Sequence, residues 1–439
     1  MKVCFVTHDS PQDMGGLNSW LQKLLPLLQM AGIEIEVHVT AVYGRPGVNC
    51  AFFREHGIAI RWMPSLKHLP YAVRSLYQFL KDSKPDIYVP TVIVPAYFAA
   101  GYARRAGIPT VGTLLSDNLY QRTLVDEFIN GDPDYRVSAV VPCSTFLEAQ
   151  VSSSAAARGV MVRKIACGVP IPPRTAEPPG SVFRLVYTGR LTEEAKRISD
   201  VTNALCNVTR DAPNLEAWMT GDGDARPAVE NIIREKGGGR VRLLGLVDDV
   251  YEVLAQCHAL VLLSDYEGLP ISVLEAMATG VVPICLDTRS GIREAIEHGV
   301  NGLIVKDRAA DFFATVRGLQ SDPEKWRRLS AAARDTVRRR FSAEACARQW
   351  VELLEHLNKQ RAAQADFPAF GTLALPPPSP KFQVYGIELP WKEKCKEYIK
   401  SILSNGQATV TAPLIYRMAQ ATVVAGRKIK VKRPDSSGD

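Results

Sequence analysis

The chain has no stretch that approaches the ~20 uninterrupted apolar residues needed to cross a bilayer, so no transmembrane helix is expected. It has no C-x-x-C pair. Its nine cysteines are scattered from Cys4 to Cys395, and several sit in apolar runs such as 281–286, where they read as buried small hydrophobes. A zinc or disulfide framework finds no support. The patterns G-x-G-x-x-G and G-x-x-x-x-G-K-[ST] are missing, which leaves a dinucleotide site and a P-loop without their fingerprints. No Ser–His–Asp spacing stands out. The seven histidines are dispersed, and His8, the one nearest a glycine loop, reads as structural. The start, residues 1–7, holds one base and a short apolar run. It is too short for a signal peptide and reads as a first strand, so a cytoplasmic location is the expectation. An excess of basic charge is also lacking over most of the chain, where 40 Lys or Arg stand against 40 Asp or Glu. From Asn358 onward there are 13 Lys or Arg and 6 Asp or Glu, so this stretch carries the whole net charge of +7. A uniformly basic, nucleic-acid-binding body is unlikely on that pattern, and no nucleic-acid partner is expected.

What is present is a long α/β alternation. With 439 residues, two cores are the prior, since single cores stop growing near ~250–300 residues. Residues 3–7, 35–40, 87–90, 110–114 and 139–142 read as strands, and 18–31 and 70–81 as helices. Strands alternating with helices imply βαβ units and a parallel sheet. The stretch 168–180 holds five prolines and reads as a linker. The alternation then restarts, with strands at 184–188, 217–220, 241–244, 259–264 and 282–286. An amphipathic helix over 341–357 is expected to close this second unit. Two doubly wound units place a cleft between the carboxyl ends of their strands, where ligands bind. The expected division is 1–167, linker 168–180, 181–340, closing helix 341–357 and extension 358–439. In the extension, 376–380 reads as a polyproline spacer, 391–403 as a short basic helix, and 427–433 as a basic end.

Three loops that follow strands carry candidate chemistry. In Glu267-Gly-Leu-Pro-Ile-Ser-Val-Leu-Glu275, Pro270 suits the first turn of a helix and Gly280 its end. The free N–H groups at Gly268, Leu269 and Ile271 then offer a diphosphate site at a positive dipole end. The two flanking carboxylates can accept hydrogen bonds from sugar and ribose hydroxyls. Taken alone, the pair reads as a helix with an acidic start and a solvated Glu. After the strand 184–188, Gly189 permits a sharp exit, and Arg190 and Lys196 can converge on one anion, or stand as two solvated bases. After the first strand, Gly15 and Gly16 allow backbone to approach a ligand, or form a plain turn. Gly221-Asp-Gly-Asp224 has the look of a metal motif, but two Asp around a Gly after a strand are more often turn residues.

These stretches, in this order and spacing, resemble glycosyltransferase family 4, retaining enzymes of the GT-B fold. The resemblance covers roughly residues 1–357 and is strongest over 184–305, where 265–280, Val282-Pro283 and Asn301-Gly-Leu-Ile-Val305 follow the family pattern. It implies two Rossmann-like domains around a central cleft. It further implies a hexosyltransferase that moves a sugar from a UDP- or GDP-sugar to an acceptor hydroxyl, with no cofactor and no metal. By this resemblance Arg190 and Lys196 meet the donor diphosphate, Glu267 the transferred sugar and Glu275 the ribose. Val247 meets the base, while Gly15 and Gly16 lie near phosphate and acceptor. The implied mechanism is front-face displacement with the departing phosphate as base, resting on positioning and charge stabilisation. One position departs. Many members carry a His after the strand 110–114, where this chain has Leu115, then Ser116 and Asp117. Asp117 is the group left for acceptor or sugar contacts, or the enzyme works without one. Alternatives are a nucleotide-sugar epimerase on the same fold and a non-catalytic nucleotide-sugar-binding protein. The extension 358–439 has no counterpart in the family. Its bases suit an anionic membrane surface or polyanion, at the inner membrane if peripheral, at ~1 kcal/mol per base. The blander reading is a solvated tail, or one packed on the first domain.

Overall fold

A computed structural model describes residues 1–9, 15–41, 47–64, 69–363 and 365–375, all within the compact unit Met1–Tyr385. The expected spacer 376–380, helix 391–403 and basic end 427–433 lie outside the described residues.

The apolar runs form two parallel sheets. The first contains β1 (Lys2–Asp9), β2 (Glu34–Ala41), β3 (Ala59–Pro64), β4 (Ile87–Thr91), β5 (Thr110–Leu114), β6 (Ala139–Pro142) and β7 (Met161–Val162), in the order β3-β2-β1-β4-β5-β6-β7. The second contains β8 (Phe183–Thr188), β9 (Leu215–Thr220), β10 (Val241–Gly245), β11 (Ala259–Leu262), β12 (Val282–Leu286) and β13 (Leu303–Val305), in the order β10-β9-β8-β11-β12-β13. The strand pairs are parallel throughout the described residues. Helices cover both faces, which is why β4, β11 and β12 are buried along their whole length and read as continuous apolar runs. Three strands escape the sequence pattern. β3, β7 and β13 are sheet edges, and β7 and β13 have only two and three residues.

Strand order reverses beside β1 and beside β8. The crevices therefore open between β1 and β4 and between β8 and β11. The loops leaving β1, β8 and β11 are the three that carry the candidate motifs.

The chain crosses between the sheets twice, and the two crossings pair. The Val169 N–H donates to the Phe341 carbonyl (2.9 Å), and the Ala343 N–H donates to the Val169 carbonyl (2.9 Å). A Cβ at Gly168 would lie 2.7 Å from the Ala343 Cα and 2.8 Å from the Ser342 oxygen, so only glycine fits there.

The last long helix, Ala343–Gln360, does not close the second unit as expected. It packs on the first. Its Trp350 is buried against Phe5 of β1 (6.3 Å between centroids) and Trp20 of the helix Gly16–Met30 (5.7 Å). A helical stripe in sequence says that a face is buried, not which partner buries it. The chain then straps over the helices Leu69–Ser83 and Val94–Arg105. Ala365 N–H donates to the Ala106 carbonyl (3.1 Å), Tyr77 Oη to the Pro368 carbonyl (3.0 Å), and Phe370 stacks on Tyr102 at 5.5 Å. Leu373 is 2% exposed. The described part of the extension is thus packed on the first sheet's helices.

Candidate active site

The loops after β8 and β11 are stitched into one wall. Asp265 N–H donates to the Ala195 carbonyl (2.8 Å), Tyr266 Oη to Glu194 (2.8 Å), and Lys196 Nζ pairs with Glu267 Oε1 at 2.5 Å. Lys196 and Glu267 are 16% and 13% exposed, so their attraction is only partly screened by water. Arg190, on the same loop as Lys196, is exposed, and its guanidinium has no carboxylate partner among the described residues. Burial, and then the Glu267 carboxylate, push the Tyr187 phenol well above its ordinary range. It therefore remains a donor and holds the Arg190 carbonyl (2.8 Å).

Pro270 is the N-cap of the helix Ile271–Thr279, one residue outside the position expected from sequence. No side chain caps this helix. Its first turn therefore has no side-chain acceptor, and the Val273 N–H donates to the Pro270 carbonyl (3.1 Å). Gly280 ends the helix at φ +86°, in the left-handed region. Glu275 lies inside the helix, 7% exposed, and its Oε1 is 2.9 Å from the Nζ of Lys23 on the helix Gly16–Met30. Sequence reading did not single out Lys23, because nothing local marks a lysine whose partner lies 252 positions away.

On the opposite wall, Gly15 is the N-cap of Gly16–Met30, again without a side-chain cap. A Cβ at Gly16 would meet no described atom within 4 Å. Residues 10–14 of this loop lie outside the described residues. Asp9 accepts from the Gly47, Asn49 and Cys50 N–H groups at 2.7–3.2 Å, which ties the end of β1 to the helix Val48–Glu55.

After β5, Gln121 Oε1 accepts from the N–H groups of Leu115 (2.6 Å) and Ser116 (3.1 Å), while Asn118 caps the helix Leu119–Val125. Asp117 is 8% exposed. Both its oxygens are held by Arg122, at 2.9 and 2.7 Å. It lines a cavity of about 590 Å³ with Arg122, Phe146 and Gln150 from the first half and Asp265, Tyr266 and Arg289 from the second. That size suits a small ligand. Sequence reasoning missed Phe146, Gln150 and Arg289, since single side chains in separate loops leave no spacing signal.

The halves also touch at Glu294. It pairs with Lys164 (2.5 Å) and accepts the Thr145 N–H (2.6 Å). Burial alone would raise its carboxyl, but these hydrogen bonds hold it below the usual carboxylate range. Val247 is half-buried in the loop after β10, between exposed Leu246 and Asp248. Asp222 sits in a tight turn, accepting from the Gly223 N–H (2.8 Å) and from Arg226 (3.2 Å). Among the described residues no group of three or more His, Cys, Asp or Glu is placed to hold a metal. None of the described helices is long and apolar enough to cross a membrane.

Residues 182–322 match the family described as Glycosyl transferases group 1. The lipopolysaccharide 1,6-galactosyltransferase of Salmonella typhimurium is 24% identical over 340 residues, which is 71% of this chain and 88% of that protein. The N-acetyl-alpha-D-glucosaminyl L-malate synthase of Bacillus anthracis is 31% identical over 161 residues, 36% of this chain and 41% of its own length. Among solved structures, Anabaena HepE in complex with UDP superposes with a TM-score of 0.63 at 20% identity, covering 81% of this chain and 100% of HepE. The two sheets and their switch-point loops have the GT-B fold of these structures, and with the group 1 match over residues 182–322 they mark the chain as a glycosyltransferase.

Proposed function

We propose that the chain is a retaining hexosyltransferase of family 4 that takes its donor as a UDP-sugar and transfers the sugar to an acceptor hydroxyl. The observation that carries this reading is the Lys196–Glu267 pair at 2.5 Å, with exposed Arg190 on the same loop after β8. On this reading two cations and one carboxylate serve the mouth of an uncapped helix. Breakage of the sugar–phosphate bond builds charge on the departing diphosphate. Arg190, Lys196 and the N-terminus of Ile271–Thr279 would meet that charge. Glu267, freed of part of its pairing, accepts hydroxyls of the transferred sugar. In a front-face displacement the acceptor oxygen bonds to the anomeric carbon on the face the diphosphate leaves, and the acceptor proton passes to a leaving phosphate oxygen. The residues then act by position and charge, without a metal or cofactor.

The choice of uridine draws on HepE, whose structures are described in complex with UDP and UDP-glucose. Residues 1–167 are the acceptor-side half and 181–340 the nucleotide half, with Val247 against the base, Gly16 against the donor diphosphate, and Gly15, Gly16 and Asp117 on the acceptor side. The enzyme draws its donor from the cytoplasm. A screen of UDP- and GDP-sugars for thermal stabilisation tests the donor, because a ligand bound at 100 Kd adds about 2.7 kcal/mol to native stability. Anomeric configuration of the product by NMR tests retention. With the stabilising donor, Lys196→Ala lowers turnover ~10²-fold or more while the melting curve is kept. Near-wild-type turnover removes Lys196 from the mechanism, and a changed sugar formed without acceptor points to an epimerase instead.

A further inference from the structure

Lys23 belongs to no part of the motif, yet it reaches the most buried carboxylate of the donor wall. Its Nζ sits 2.9 Å from Glu275 Oε1, with side-chain exposures of 17% and 9%. Lys23 is itself held from its own helix, with Nζ 2.5 Å from Ser19 Oγ. The pair joins the first half to the second, Gly16–Met30 to Ile271–Thr279. One carboxylate oxygen is taken, and no described residue is recorded on the other. Close by, the Tyr251 hydroxyl is buried without a partner among the described residues. Burial first, and then the Glu275 carboxylate, push its phenol up, so the hydroxyl stays a donor. A half-satisfied carboxylate and an orphaned hydroxyl leave hydrogen-bonding capacity for a ligand with vicinal hydroxyls.

We propose that Lys23 is a positioning residue of the donor site, which holds Glu275 by one oxygen so that the other accepts the ribose hydroxyls of the bound nucleotide. The proposal rests on the reading of Glu275 as the ribose carboxylate. Recognition of the ribose then depends on a residue of the acceptor-side half. Donor binding and closure of the two halves become the same event.

The test compares calorimetric affinities for UDP and 2′,3′-dideoxy-UDP, with GDP and its dideoxy analogue in parallel, on the full chain. Wild type prefers the ribonucleotide. Lys23→Met lowers that preference about tenfold, while the dideoxy affinity moves less than about threefold, and Lys23→Arg restores most of the preference. Equal loss for both nucleotides means a merely structural role and overturns the proposal, as does an unchanged preference. Glu275→Gln separates the two layers. If it abolishes the preference and Lys23→Met does not, only the role of Lys23 falls. If it leaves the preference unchanged, the ribose reading fails and the proposal with it. Should Lys23→Met not fold, Lys23→Gln is read in the same way.

Discussion

Leu115 and Gly268 meet backbone to backbone across the cleft: a Cβ on Gly268 would stand 2.0 Å from the Leu115 carbonyl oxygen and 3.1 Å from the Ser116 nitrogen. Any side chain at Gly268 must push the two loops apart by at least 1 Å. Gly268→Ala is therefore expected to cost turnover about 10²-fold through misplacement of the reacting groups, with a smaller loss of stability. Steady-state kinetics beside a melting curve checks it, and wild-type turnover means that the close approach has no part in the reaction.

Gly16 gives the opposite case. No described atom lies within 4 Å of a Cβ there, so the fold does not require glycine. Gly16→Ala keeps or slightly raises the melting temperature, since alanine is the better helix residue. Donor affinity falls, because the added methyl stands where the diphosphate approaches. Unchanged affinity by calorimetry would remove Gly16 from the donor site.

Acid stability should report His258. Burial first, and then the nearby Arg184 cation, lower its pKa from 6.5 to about 4. The ring accepts the Arg184 N–H at 2.8 Å and so is held neutral. Between pH 6.5 and about 4 the unfolded chain takes up a proton that the folded chain refuses, so stability falls as pH falls. The full window amounts to about 3 kcal/mol. In urea melts across this range, His258→Asn should start less stable at neutral pH and show a flatter decline. A parallel decline would show that His258 does not titrate on unfolding.

The basic extension should be tested by ending the chain after Leu375, not after Leu357. The earlier cut would remove the end of the helix Ala343–Gln360 and the strap over Tyr77 and Tyr102. Ending at Leu375 leaves the melting temperature intact. If the bases beyond it hold a membrane, pelleting with phosphatidylserine vesicles is lost, and more readily so at high salt. Equal pelleting of both chains rules out a membrane role for the extension.

Most of the inner strands and the donor loops were legible in the sequence, because a doubly covered parallel strand must be apolar throughout, and uncapped helix starts and glycine exits leave local marks. What the sequence hid depends on partners distant in the chain. Leu115 reads as a missing group, and only the structure shows its carbonyl packed on Gly268. Asp117 reads as the group left for acceptor or sugar contacts, while in the fold Arg122 grips both its oxygens. The helix Ala343–Gln360 shows its buried face in sequence but not that Trp20 and Phe5 wait for it on the other sheet.

The paired crossings at Val169 and Phe341–Ala343 bear on how the enzyme moves. A single connecting strand lets two bodies turn freely about it, whereas two strands hydrogen-bonded side by side form a ribbon, which bends more readily than it twists. Opening and closing along that one bend would return Lys23 to Glu275, and Leu115 to Gly268, in the same register at every turnover.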